Sequence, residues 1–204
     1  MPPGLPQRPG LSHNGAMSPT RLLPALVASA LLSACAGAPH VPAQSTQAAA
    51  TFVVVRHAEK AGPGADPELA PDGLARAERL AHRLAGEPLV AVYTTDYRRT
   101  RATVQPAARQ HALEPLAYDA QLSAHALAAQ LRARHPSGTV LVAGHSNTVP
   151  AIVSALCDCD TTPMAETEYD RISIVRFDGT APAAVEVVRD PIPTAPGVPT
   201  REPR

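Results

Sequence analysis

The chain contains no tryptophan, four tyrosines and two phenylalanines, so it cannot assemble the aromatic platform on which single-stranded nucleic acids stack. Its 18 Lys and Arg are matched by 18 Asp and Glu, and no basic run is present to follow a phosphate backbone. Nucleic acid is therefore excluded as an expected partner. Three cysteines are too few for a disulfide framework. Cys157 and Cys159 form a C-x-C pair without a neighbouring Cys or His cluster, which is poor spacing for a metal. They read either as two buried or loop thiols or, in an oxidising compartment, as a disulfide. No apolar run reaches the ~20 residues that span a bilayer as a helix. The longest, residues 22–32, has the length of a signal-peptide core, and no internal repeat is visible.

The 23 prolines gather toward the two ends of the chain. Residues 1–34 read as an export signal with Met17 as an alternative start, because Met17-Ser18-Pro19-Thr20-Arg21 makes a short charged lead-in and the Pro- and Gly-rich stretch before it fits no step of export. Residues 35–50 are small and polar, as in a tether, and residues 191–204 carry enough proline to forbid a central strand or helix. Between them, residues 51–190 have the usual size of one domain. Leu32-Ser33-Ala34-Cys35 resembles the lipobox of bacterial lipoproteins. The resemblance implies that Cys35 becomes a lipidated amino terminus, and that Ala36, not being Asp, allows sorting to the outer membrane facing the periplasm. Acyl chains would then be the only contact with the membrane. The alternative is a signal-peptidase site with an incidental cysteine.

Within the domain, apolar β-branched runs alternate with helical periodicity. Residues 51–55, 89–94, 116–118 and 139–143 read as strands, and 172–177 and 185–188 as a closing hairpin about Asp178-Gly179. Helices are expected from Pro71-Asp72-Gly73 to Leu84, with Leu74, Ala77, Leu80, Ala81 and Leu84 inward and Arg76 mostly outside that stripe. Others run over 98–110, broken or bent at Pro106, from the cap Ser123 to Arg134, and over 149–156, capped by Asn147 or Ser146. This order gives a three-layer α/β/α sandwich with a mostly parallel central sheet.

Two histidines stand where strands stop, Arg56-His57 after 51–55 and Gly144-His145-Ser146 after 139–143. Parallel sheets place ligands at the carboxyl ends of their strands, so both histidines would open into one crevice. Arg56-His57-Ala58-Glu59-Lys60 resembles the R-H-x-x-[K/R] signature of the histidine phosphatase superfamily, the phosphoglycerate-mutase-like proteins. Residues 69–77, residues 94–103 and Gly144-His145-Ser146-Asn147 are similar to three further blocks of that family, in the same order. The resemblance implies a phosphatase that works without a cofactor or metal through a phosphohistidine on His57. Its substrate would be a small phosphorylated molecule or a phosphoprotein. His145 would be the electrostatic partner, and Arg99 rather than Arg98 or Arg101 the arginine of the second block, with Arg101 in reserve.

The residues support the same chemistry without the family. A phosphoryl group carries up to two negative charges, so a pocket without metal needs several fixed cations around one nucleophile. Arg56, Arg99 and His145, with Lys60 as a fourth and Asn147 as a polar contact, are the candidates. Expelling an alkoxide also needs an acid. The resemblance implies that this acid comes from the segment between the second and third blocks, where only Glu114 and Asp119 are offered; Asp119 follows the strand at the sheet edge that carries both histidines, and Glu59, beside the nucleophile, is the other candidate. His82, His111, His125 and His135 read as surface residues. The segments 61–69, 118–123 and 157–170 are short and chemically plain, which points to an open site. A phosphomutase and a phospholigand-binding module without turnover are the competing readings.

Overall fold

The computed structural model describes residues 49–178 and 183–191. The export signal, Cys35, nearly all of the tether, the turn after Asp178 and the tail beyond Pro191 lie outside the described residues. Along the chain run β1 (Ala50–Arg56), α1 (Pro71–Leu84), β2 (Leu89–Thr95), α2 (Arg98–Gln110), β3 (Leu116–Tyr118), α3 (Ala124–Arg134), β4 (Gly138–Gly144), α4 (Val149–Cys157), β5 (Arg171–Phe177) and β6 (Ala184–Arg189). The six strands form one sheet in the order β3-β2-β4-β1-β5-β6, parallel from β3 to β1 and antiparallel at β5 and β6.

The apolar runs are continuous because both faces of the sheet are covered. Side chains alternate across a strand, so Phe52, Val54, Val140 and Val142 meet Leu127 and Leu131 of α3 and Ile152 and Leu156 of α4. On the other face, Val53, Val55, Leu141 and Ala143 meet Leu80 and Leu84 of α1 and Val104 and Ala107 of α2. No helix among the described residues is long and apolar enough to cross a membrane.

Two expectations for α1 are corrected. Leu74 is 54 % exposed, whereas Arg76 is 7 % exposed. Arg76 fills the inward position because its guanidinium bonds the Glu59 carboxylate (Nη2 to Oε1 2.7 Å) and the Asp190 carboxylate (Nη1 to Oδ2 3.0 Å). The first turn of α1 lies so close to the chain after β1 that a Cβ at Gly73 would stand 2.3 Å from the Glu59 carbonyl oxygen, and only glycine fits. Pro106 sits inside α2, which continues to Gln110 instead of breaking.

Candidate active site

β1 and β4 are parallel neighbours in the register Arg56 to Gly144, so His57 and His145 each follow the end of an adjacent strand. The His57 amide extends the ladder by donating to the Gly144 carbonyl at 2.9 Å. The two imidazole rings lie 5.4 Å apart, edge to face. They open into a cavity of about 380 Å³ whose lining includes Arg56, Lys60, Tyr97, Arg99, Asn147 and Glu166.

His57 Nδ1 is 2.8 Å from the Ala58 carbonyl oxygen. A carbonyl only accepts, so Nδ1 carries the proton and Nε2 keeps its lone pair. Burial is the main reason that the His57 pKa falls to about 4. The Ala58 hydrogen bond works against that shift, while the charges of Arg56 and Arg99 and the neighbouring His145 add to it. His145 is also lowered to about 4, first by burial and then by Arg99 and Arg56. Its Nε2 is 3.0 Å from the Thr95 hydroxyl, which is 2.9 Å from that of Thr100, and this hydroxyl relay fixes the ring.

These shifts have a sign that can be measured. Both folded pKa values lie below the value of about 6.5 in an unfolded chain, so between pH 6.5 and 4 the unfolded state binds more protons. The two neutral rings therefore favour folding fully above that window and lose their contribution as the pH falls through it. The melting temperature is expected to drop from pH 6.5 toward 4, and His57→Gln should flatten the drop. An unchanged slope would place the protonation elsewhere.

Arg56 is 2 % exposed. Its Nη1 donates to the carbonyls of Ala165 (3.1 Å), Glu166 (2.6 Å) and Glu168 (3.2 Å), and its Nη2 to Glu166 Oε2 (3.0 Å), while Tyr169 stacks on the guanidinium at 4.2 Å. Arg99 turns into the cavity, where it stacks on Tyr97 at 4.4 Å and donates to the Ala65 carbonyl at 3.1 Å. Arg98 and Arg101 point outward and pair with Glu68 and Asp96. Lys60 and Asn147 are exposed at the cavity wall. The residue at the N-cap of α4 is Thr148, not Asn147 or Ser146, and its hydroxyl turns back to accept the His145 amide at 2.9 Å.

The structure separates two candidate acids, Asp119 and Glu59, from a third carboxylate, Glu166, that the sequence does not single out. Asp119 is exposed and accepts the Gln121 amide at 2.8 Å, in a turn whose next residues, Ala120 and Gln121, line the cavity in its place. Glu59 is held below the usual carboxylate range: burial is the largest single influence and opposes this, but the Arg76 hydrogen bond, a backbone hydrogen bond and the charges of Arg76 and Arg79 together outweigh it. Glu166 lines the cavity, accepts from Ser146 Oγ, and is kept ionised chiefly by that bond and then by Arg56 and Lys60, against some burial. The segment after α4 is thus not chemically plain. It supplies Glu166 and Tyr169 and the carbonyls that grip Arg56. No residue periodicity announces them, because backbone carbonyls are common to every residue type.

Cys157 and Cys159 form a disulfide, which corrects the reading of two thiols. The left-handed Asp158 at the end of α4 (φ 53°, ψ 46°) folds the chain back and brings the two Cα atoms to 5.2 Å. Two histidines read as surface residues are half-buried packing groups: His135 Nε2 meets the Tyr93 hydroxyl at 2.9 Å, and His111 Nε2 the Leu84 carbonyl at 3.0 Å.

The sheet order and the paired histidines can be set beside known proteins. Residues 52–123 match the profile of the Histidine phosphatase superfamily (branch 1). Solved structures extend the likeness over the domain. One, from Nakamurella multipartitia and described as a phosphohistidine phosphatase SixA, is 24 % identical with a TM-score of 0.56, over 71 % of this chain and 97 % of that one. The fold is that of the histidine phosphatases. A protein histidine phosphatase SixA complexed with tungstate is 19 % identical with a TM-score of 0.57, over 68 % of this chain and 96 % of its own. A phosphoglycerate mutase from Bacillus anthracis is 16 % identical with a TM-score of 0.54, over 70 % and 94 %. No curated protein matches the sequence.

Proposed function

We propose that the protein is a phosphatase of the histidine phosphatase superfamily, acting through a covalent phosphohistidine without a metal, on phosphomonoesters or phosphohistidine. The observation that carries this reading is the tautomer of His57, whose Nδ1 proton is spent on Ala58 and whose Nε2 lone pair is left in a cavity with Arg56, Arg99 and His145. Nε2 attacks phosphorus, the bond from phosphorus to the leaving oxygen or nitrogen breaks, and the leaving group departs with the electron pair. Water then attacks phosphorus, the phosphorus–Nε2 bond breaks, and inorganic phosphate leaves. Arg56, Arg99 and the neighbouring cations hold the phosphoryl oxygens in both steps.

With Asp119 in a turn and Glu59 paired to Arg76, neither carboxylate is free to protonate a leaving alkoxide. Phosphoramidates such as phosphohistidine, and esters of acidic alcohols, depart without such help. The reading therefore favours these over alkyl esters, and the SixA-type relatives are consistent with that choice. Assayed with EDTA present, the domain should hydrolyse p-nitrophenyl phosphate and a phosphohistidine peptide, and glycerol 2-phosphate at least about 100-fold more slowly. Loss of turnover on adding EDTA, or equal rates on the alkyl ester, would refute it.

We place this activity at the cell envelope, on a lipid carried by Cys35. The apolar run before Cys35 supports that location, as does the Cys157–Cys159 disulfide, since such bonds persist in oxidising compartments. Cys35→Ser in the full-length precursor should release the protein from the membrane fraction with its activity intact. Retention in membranes would contradict the anchor.

A further inference from the structure

A second, smaller hollow of about 110 Å³ adjoins the histidine cavity, and Ala120, Asn147 and Thr148 line both. Its far wall is apolar. Leu122 and Ala124 come from the start of α3 and the turn before it, Leu127 from the next turn, and Ala151 and Ile152 from the first turns of α4. Leu127 and Ile152 are core residues at 2 % exposure, whereas Leu122, Ala124 and Tyr118 pack on the core with one side still open.

The polar groups around this hollow are already committed to the protein. The Tyr118 hydroxyl donates to the Ala143 carbonyl at 3.0 Å, and the Thr95 hydroxyl is shared between Thr100 and His145. The Thr148 hydroxyl accepts the His145 amide at 2.9 Å. A ligand entering the hollow therefore meets carbon, and a polar group placed there would lose its water without gaining a partner. Asn147, exposed on the shared wall, is the polar group at the boundary between the two spaces.

We infer that this hollow is the leaving-group subsite and that it selects substrates carrying a compact apolar ring one or two bonds from the phosphoryl group. The inference rests on the phosphatase reading of the adjoining cavity and adds the class of group attached to the phosphate. An enclosed apolar cavity of roughly 150 Å³ takes a benzene ring. The hollow, at about 110 Å³ and open toward the histidine cavity, suits one ring and not a fused or sugar-sized group. Polyols such as glycerol and sugars carry hydroxyls that the apolar wall leaves unpaired. Selectivity of this kind is worth roughly 10- to 100-fold in kcat/KM, the range set by filling or leaving empty a small apolar pocket.

The test uses two substrates that depart without a proton donor, phenyl phosphate, whose ring is unsubstituted and whose alcohol is acidic, and acetyl phosphate, which has no ring. Ala151→Leu fills the hollow from an exposed position on α4 that lines the hollow and is not part of the lining of the histidine cavity. It should lower kcat/KM for phenyl phosphate by about tenfold, mainly through KM, and leave acetyl phosphate unchanged. Turnover of acetyl phosphate also serves as the measure of correct folding. If acetyl phosphate falls with it, Ala124→Leu, which narrows the same hollow from α3, must show the selective loss. Equal effects on both substrates in both variants, or none, overturn the subsite while leaving the phosphatase reading in place. A parent protein that hydrolyses neither substrate overturns both.

Discussion

His57→Ala is expected to remove turnover by about 10⁴-fold or more on every substrate, because it deletes the atom that accepts the phosphoryl group and not merely a group that stabilises charge. The substitution should cost little stability. His57 is 4 % exposed, but its side-chain hydrogen bond is a local one to the next residue's carbonyl, and its ring is buried neutral. A folded, phosphate-binding and inactive protein is thus the predicted state. The check is kcat with p-nitrophenyl phosphate beside a thermal melt of the same sample. Residual turnover near the parent's would remove His57 from the chemistry.

Arg56→Ala is expected to fail in two ways at once. Its guanidinium is the donor to the carbonyls of Ala165, Glu166 and Glu168, and leaving such groups without partners costs on the order of 3 kcal/mol. For a domain of this size that is a fall in melting temperature of roughly 10 °C. The ion pair with Glu166 adds little to this figure, since that carboxylate is 76 % exposed and water replaces its partner. The lost cation should also slow turnover by about 10²- to 10³-fold. Arg56→Lys keeps the charge but cannot span three carbonyls and a carboxylate, so it should recover more activity than stability. Equal melting temperatures for the parent and Arg56→Ala would mean that the segment after α4 does not depend on this residue.

The strands and helices were legible because their signal is a repeat along the chain. Continuous β-branched runs mark strands buried on both faces, and the spacing of Ala77, Leu80, Ala81 and Leu84 marks the inner face of α1. The same rule misplaced Arg76 and Leu74, since hydrophobicity cannot see that Glu59 and Asp190 wait at the inner position. The site was half legible. Residues at the ends of β1 and β4 could be brought together from topology alone, whereas the choice of Arg99 over Arg98 and Arg101 came from the family resemblance. What remained hidden lies in the segment between α4 and β5, whose contribution is made by carbonyls, by a glutamate and by a tyrosine without periodic placement. Asp119 was placed at the right edge of the sheet, but an Asp two residues before an accessible amide tends to close a turn on itself, and this one does. The disulfide stood only as one of two readings of Cys157 and Cys159 for a similar reason, because it depends on the left-handed conformation of one residue, Asp158.

The central claim is that the phosphoryl group passes through His57, and a rapid quench tests it most directly. The full-length protein is mixed briefly with ³²P-labelled acetyl phosphate, stopped in alkaline detergent and digested. The account predicts a label that survives base, is lost in acid as a phosphoramidate must be, maps to the peptide holding Arg56-His57-Ala58, and is absent from His57→Ala. A label stable in acid, on another residue, or undiminished in His57→Ala would contradict it.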